Sequence, residues 1–286
     1  MKTRKSITIV GVGLIGGSVG LAARARQVAR RVIGTGSRES TLETALRLGA
    51  IDTAIADPAA AVAEADLVVV CAPVDAIVTG VETLAPHCRP GTLITDAGST
   101  KLEIVAALDR AAATEGWPVE VRFVGSHPLA GNEKQGPAHA TAELFAGRVV
   151  VVTPGQSARP DDVRRVSDFW TALGARVIQM SAEQHDRALA VTSHLPHLVA
   201  AAIAGSTPEE YVTLTASGWQ DTTRIASGDP ALWRQIMLSN RPQLLAAVDR
   251  FAALVAQWRE ALDAGDAAAV ERLLAEAKRV RDAVGS

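Results

Sequence analysis

Short apolar runs alternate with stretches of helical period through the first 180 or so residues, and the alternation then stops. Period-two or wholly apolar runs predict strands over 6–10, 31–34, 53–56, 66–72, 92–95, 121–124, 148–153 and 176–180. Between them, apolar positions spaced three and four apart predict helices over 14–27, 40–48, 76–84, 100–113 and 161–173. The run DLVVVCA at 66–72 has no polar face, as expected of a strand covered on both sides. Such alternation specifies an α/β fold, a doubly wound parallel sheet with helices on both faces. From residue 183 onward the strand signal is gone, and Ala- and Leu-rich amphipathic helices follow, interrupted near 205–208 and 228–230. The expected organisation is therefore a sheet domain over 1–181 and an all-α C-terminal domain over 182–286. The apolar content of the second domain favours burial between subunits, most simply in a homodimer.

Composition narrows the function classes. The 286 residues carry 29 Lys plus Arg against 31 Asp plus Glu, a formal net charge of −2, which argues against a protein that coats nucleic acid. With 48 % hydrophobic and 21 % charged residues the chain is ordinarily globular, while 3 % aromatics leaves the core to Ala, Val, Leu and Ile. Lys2, Arg4 and Lys5 before the apolar run 7–23 imitate a secretory signal, but five glycines interrupt that run, and a strand with a tight turn accounts for it better. No uninterrupted apolar run has the length of a membrane span. Two cysteines, Cys71 and Cys88, make no disulfide framework, so a reducing cytoplasm is expected.

The first strand runs directly into Gly11-Val12-Gly13-Leu14-Ile15-Gly16, which opens a helix. In that setting Gly11 permits the tight turn, Gly13 lets a pyrophosphate approach the backbone, and Gly16 lets helix and strand pack closely. Leu14 and Ile15 contribute the N–H groups of the helix N-terminus. The arrangement predicts a Rossmann-type dinucleotide-binding domain. After the second strand, where an NAD-selective site usually carries an acid, the chain reads Gly34-Thr35-Gly36-Ser37-Arg38. A hydroxyl and a guanidinium there suit a 2′-phosphate, so NADP is the expected cofactor, with NAD the alternative. Ala72 and Pro73 end the fourth strand with small residues that leave room for the nucleotide.

Ligands of open α/β sheets bind beyond the carboxyl ends of the strands. Asp96-Ala97-Gly98-Ser99-Thr100-Lys101 follows the fifth strand, and Gly125-Ser126-His127-Pro128 the sixth. Ser99 and His127 are thus candidates to meet at a nicotinamide ring, with imidazole suited to take a proton from an alcohol. A loop histidine held by its neighbours is the plain alternative. His194 and His197 have the spacing of a metal-ligand pair, but no acid or cysteine at a matching spacing supports one, and no metal is expected.

The motifs GVGLIGGS at 11–18, DAGSTK at 96–101, GSHPLAGNEKQG at 125–136, SHLPH at 193–197 and DTTRIASGDPALW at 221–233 occur in an order and spacing that resembles the prephenate/arogenate dehydrogenase family of tyrosine biosynthesis. The resemblance spans both expected domains. It implies that His127 is the catalytic histidine, drawing the proton of the C4 hydroxyl while hydride leaves C4, and that Ser99 orients His127 and that hydroxyl. It further implies that Arg224 binds a substrate carboxylate, with His197 and Trp233 shaping the pocket and Glu133 closing it. Family members are often fused to a chorismate mutase domain or a regulatory ACT domain. Neither fits between a glycine loop at residue 11 and a last residue at 286, so feedback through an appended domain is not expected.

Prephenate oxidation is the leading expectation, with arogenate oxidation, or activity on both, beside it. A β-hydroxyacid dehydrogenase is an outside alternative, but such enzymes use a lysine of the helical domain, and 183–270 contains none. A non-catalytic nucleotide sensor would have no use for Ser99, His127 and Arg224 together.

Overall fold

The computed structural model describes residues 6–114, 116–131 and 134–283. Among the described residues eight strands form one sheet: β1 (Ile7–Val10), β2 (Val32–Thr35), β3 (Thr53–Ala54), β4 (Leu67–Val70), β5 (Leu93–Asp96), β6 (Arg122–Pro128), β7 (Val149–Thr153) and β8 (Arg176–Gln179). Their spatial order is β3-β2-β1-β4-β5-β6-β7-β8, which reverses direction between β1 and β4. That switch point opens the crevice where nucleotides bind in such sheets. The helices packed on the sheet are α1 (Leu14–Ala25), α2 (Glu39–Arg47), α3 (Pro58–Val62), α4 (Val74–Leu84), α5 (Leu102–Thr114) and α6 (Pro160–Ala172). One apolar core lies on each face, Ile7, Val19, Val69 and Trp170 on one side and Val68, Ile77, Ile94 and Leu108 on the other. Strand residues of alternate parity feed the two cores, which explains why the central strands have no polar face.

The fold is the expected doubly wound α/β sheet followed by helices, with three local differences. All pairings are parallel except β6 with β7, which is antiparallel, Gly125 facing Thr153 and His127 facing Val151. Strand β6 runs on to Pro128, so His127 belongs to a strand rather than to the loop after it. Gly125 and Ser126 end the apolar run without ending the ladder, since a Cβ at Gly125 would meet Thr153 Oγ1 at 2.6 Å. Finally, α3 had no apolar periodicity to announce it. Its start is nevertheless written locally, with Pro58 in the first turn and Asp57 capping the N–H of Ala59 at 3.0 Å.

Beyond the sheet come α7 (Ala182–Leu189), a π-helical turn at Ala190–His194, α8 (Leu195–Ser206), α9 (Ser217–Thr223), α10 (Pro230–Ser239), α11 (Arg241–Asp263) and α12 (Ala267–Asp282). Pro196 has no N–H to give the preceding turn, and the wider π turn absorbs that defect without breaking the helix. The continuous helix 182–206, 25 residues long, holds an 18-residue window of mean hydropathy 1.4, as a membrane span would, although Glu183, Asp186 and Arg187 keep it from being an uninterrupted apolar run. Its buried His185 and Asp186 tie it instead to the sheet domain.

Candidate active site

The glycine turn is built as a cradle. Gly11 sits at φ +91°, where a Cβ would lie 2.6 Å from the carbonyl oxygen of Cys71, and its N–H donates to the carbonyl of Thr35 at 2.8 Å. A Cβ on Gly16 would come within 2.0 Å of the Gly11 carbonyl oxygen, so strand and helix approach as closely as glycine allows. Gly13 differs: it caps α1 at φ −72°, and a Cβ there would meet no atom within 4 Å. The open space is on the ligand side. No side chain caps this helix and no acid stands in its first turn, so the N–H groups around Leu14 and Ile15 face a site made for an anion. These features fit a dinucleotide pyrophosphate. Ser37 and Arg38 lie exposed on the turn after β2, with Arg38 at the N-cap of α2 and Glu39 already inside that helix. Ala72 and Pro73 follow β4 at the same edge, Pro73 capping α4.

Beside this cleft a cavity of about 720 Å³ opens between the sheet edge and the helical domain. Five of the residues singled out by sequence line it: Ser99, His127, His197, Arg224 and Trp233. Asn132 and Glu133 lie outside the described residues, so the expected closing role of Glu133 falls there too.

His127 is 9 % exposed, held by the β6–β7 ladder. Its Nδ1 lies 2.9 Å from Nε2 of His185, and Nδ1 of His185 lies 2.7 Å from Oδ1 of Asp186. Burial, then the neighbouring His185, Lys101 and His194, hold the His127 pKa well below the ordinary histidine value, so the ring is neutral at neutral pH. The expected partner of His127 was Ser99. Among the described residues no hydrogen bond joins the two, and His185 is the group that orients the ring, because α7 brings it against the buried end of β6. Ser99 remains at the mouth, half-buried, on a loop fixed from below by Asp96. That carboxylate accepts from the N–H groups of Gly98 at 2.8 Å and Ser126 at 3.0 Å, and pairs with the fully buried Lys101 ammonium.

The opposite wall is aromatic and cationic. His197 stacks on Trp233 with ring centroids 3.5 Å apart and planes 14° from parallel. Gly228 makes room for that stack, since a Cβ there would meet Trp233 Nε1 at 2.6 Å. His197 is buried, and among the described residues nothing bonds to its Nδ1. Burial lowers its pKa, leaving a neutral ring on the cavity wall. Arg224 opens a 3₁₀ turn, Arg224–Ser227, exposed at the rim. Neither Asp221 nor Asp229 pairs with it. Asp229 instead caps α10 through the N–H of Ala231 at 2.8 Å and accepts from Gln135 at 2.8 Å, bonds that lower its pKa.

The sequence assigned no role to two further participants, His194 entering it only as half of a metal-ligand spacing. His194 lines the cavity from the π turn, its Nδ1 3.0 Å from Nδ2 of Asn240, and burial lowers its pKa to about 4. Asn240 also donates to the Asp186 carbonyl at 2.7 Å, which fixes its amide orientation and makes Nδ1 of His194 an acceptor. His194 therefore turns an Nε2–H donor toward the cavity, whereas His197 stands one helical turn on. The other is His185, 58 residues from His127, with no motif of its own.

A dinucleotide cradle beside a neutral buried histidine, with a guanidinium at the rim of the same cavity, defines a nicotinamide-dependent dehydrogenase of small anionic alcohols. Sequence and structure comparisons place it more closely. The profile described as "Prephenate dehydrogenase, nucleotide-binding domain" matches residues 19–179, and "Prephenate dehydrogenase, dimerization domain" matches 181–276. Prephenate dehydrogenase of Bacillus subtilis is 35 % identical over 286 aligned residues, covering 98 % of this chain and 76 % of that one. Cyclohexadienyl dehydrogenase of Zymomonas mobilis is 35 % identical over 273, covering 93 % and 91 %. The crystal structure of prephenate dehydrogenase from A. aeolicus with hydroxyphenyl propionate and NAD+ superposes with a TM-score of 0.88 at 30 % identity, over 98 % of each chain. The chain belongs to the prephenate dehydrogenase family.

Proposed function

We propose that the protein oxidises prephenate with loss of CO₂, giving 4-hydroxyphenylpyruvate, and that His127 is the base. The observation that carries this reading is the cavity itself, which sets a neutral imidazole on the sheet edge opposite Arg224 and the His197–Trp233 stack. Prephenate carries two carboxylates, and a guanidinium is the side chain best matched to one of them. The neutral His197 and His194 supply polar contacts without adding charge. When bound, the nicotinamide ring is the hydride acceptor. Nε2 of His127 takes the C4 hydroxyl proton, and Ser99 holds the hydroxyl in place. Loss of the ring carboxylate as CO₂ then restores aromaticity, and the resulting phenolate oxygen recovers the proton from His127. The base ends the cycle as it began, and aromatisation provides the driving force.

The proposed nucleotide contacts are Gly11, Gly13, Leu14, Ile15 and Gly16 for the pyrophosphate, Ala72 and Pro73 beside the inner ribose, and Ser37 and Arg38 at the outer one. Absence of an acid between β2 and α2 supports NADP over NAD. The Zymomonas relative's name supports activity on arogenate as a second reading, because prephenate and arogenate differ only in one keto or amino group. The name of the second matched domain, together with exposed Leu245, Leu254, Val255 and Leu262 on α11, supports a homodimer formed through the helices. Two free thiols support a cytoplasmic location.

Initial rates with prephenate or arogenate, each with NAD or NADP, test the reading by absorbance of the reduced nicotinamide. Turnover of prephenate with NADP is expected. Silence in all four from folded protein would reject it.

A further inference from the structure

Catalysis by His127 requires one tautomer: Nε2, which faces the cavity, must be unprotonated. Among the described residues no hydrogen bond on the cavity side of the ring imposes this choice. The hydrogen bonds behind the ring do. Asp186 accepts the backbone N–H groups of Lys101 at 2.8 Å and Leu102 at 2.9 Å, at the N-terminus of α5, so both its oxygens face donors. Oδ1 also faces Nδ1 of His185 at 2.7 Å, and a carboxylate oxygen engaged in this way asks that nitrogen for its proton. A neutral His185 carrying its proton on Nδ1 has a lone pair on Nε2. That lone pair, 2.9 Å from Nδ1 of His127, in turn calls the His127 proton to Nδ1 and leaves Nε2 bare. His185 is fully buried and Asp186 is 1 % exposed, so water cannot substitute for either bond.

We infer that His185 and Asp186 are positioning residues which set the tautomer of His127 and spread the charge it gains, forming with it a buried Asp–His–His relay. The inference rests on His127 being the base. The other charged or titratable groups around it do not replace the relay. Lys101 is engaged with Asp96, and Nδ1 of His194 is engaged with Asn240. A carboxylate two bonds away is also what an imidazolium in a buried site needs during the interval before the proton returns.

His185 is the informative position, because Asp186→Asn would also strip α5 of an N-terminal acceptor. His185→Leu removes the acceptor from His127. His185→Gln keeps an amide oxygen for the Nδ1–H while disconnecting Asp186. Expected is a kcat lower by about 10²-fold or more in His185→Leu, a smaller loss in His185→Gln, and substrate KM and cofactor Kd within about twofold of the parent. A second readout does not depend on turnover. The chain has six histidines, so ¹⁵N-labelled histidine resonances of the intact protein can report each tautomer. His127 should show an unprotonated Nε2 and a protonated Nδ1, and His185→Gln or His185→Leu should lose that preference unequally. Parental kcat in His185→Leu, losses confined to KM, or a wild-type His127 protonated on Nε2 would each overturn the relay. Should the parent turn over neither prephenate nor arogenate, the assigned reaction fails, while the tautomer measurement still decides the relay.

Discussion

At the scale of single residues, the charge states in the cavity divide the work. Arg224 is the cation, while His127, His194 and His197 are kept neutral chiefly by burial. His127→Asn should reduce turnover by about 10²–10⁴-fold with cofactor affinity unchanged, measured by steady-state rates and nucleotide titration. Arg224→Ala should raise the substrate KM by about 10- to 100-fold, the worth of one charged hydrogen bond, with a smaller effect on kcat. A base works only while unprotonated. Since burial depresses the His127 pKa, kcat/KM should stay flat below pH 6.5 and fall only when that lower value is reached. An acid limb centred near 6.5 would assign the base elsewhere. His127 and Arg224 were legible because each stands in a run of motif residues. His185 and Asp186 were not, because what singles them out is contact across two domains, and nothing in the adjacent pair announces a partner 58 positions earlier.

Elements show the same glycine doing different jobs according to its surroundings. Gly11→Ala would hold a side chain at φ +91° against the Cys71 carbonyl, and should cost on the order of 1–3 kcal/mol of stability by denaturant titration. Gly13→Ala faces open space at an ordinary φ, so stability should hold while the cofactor KM rises about tenfold or more. Parallel losses in both would mean that Gly13 is structural and the open space is not the nucleotide's. The sheet was legible in outline, since wholly apolar strands and the glycine turn are strong local signals. The reach of β6 was not, because Gly125 and Ser126 look like a loop until β7 pairs with them. That pairing holds His127 within a strand ladder instead of on a loop.

For the whole molecule, acid and assembly are the informative variables. Three native histidines with lowered pKa stay unprotonated while the unfolded chain binds protons below about pH 6.5. Stability is therefore complete above that pH and falls as the pH drops, for His194 until its native value of about 4 is passed. The Tm should decline between pH 7 and pH 5, and less so in His194→Gln. Leu254→Glu, on the exposed face of α11, should convert a dimer to monomer in light scattering, and a parental mass would move the interface elsewhere. The helical C-terminal region was legible as amphipathic pattern, but the pattern gave no hint that the helix starting at Ala182 holds the N-terminus of α5 by Asp186. That hold has a consequence during synthesis. The glycine turn and His127 leave the ribosome first, yet the hydrogen bond behind the His127 ring forms only once residues 185 and 186 have been made and have docked. The last third of the message thus supplies the buried partners of a side chain made long before them.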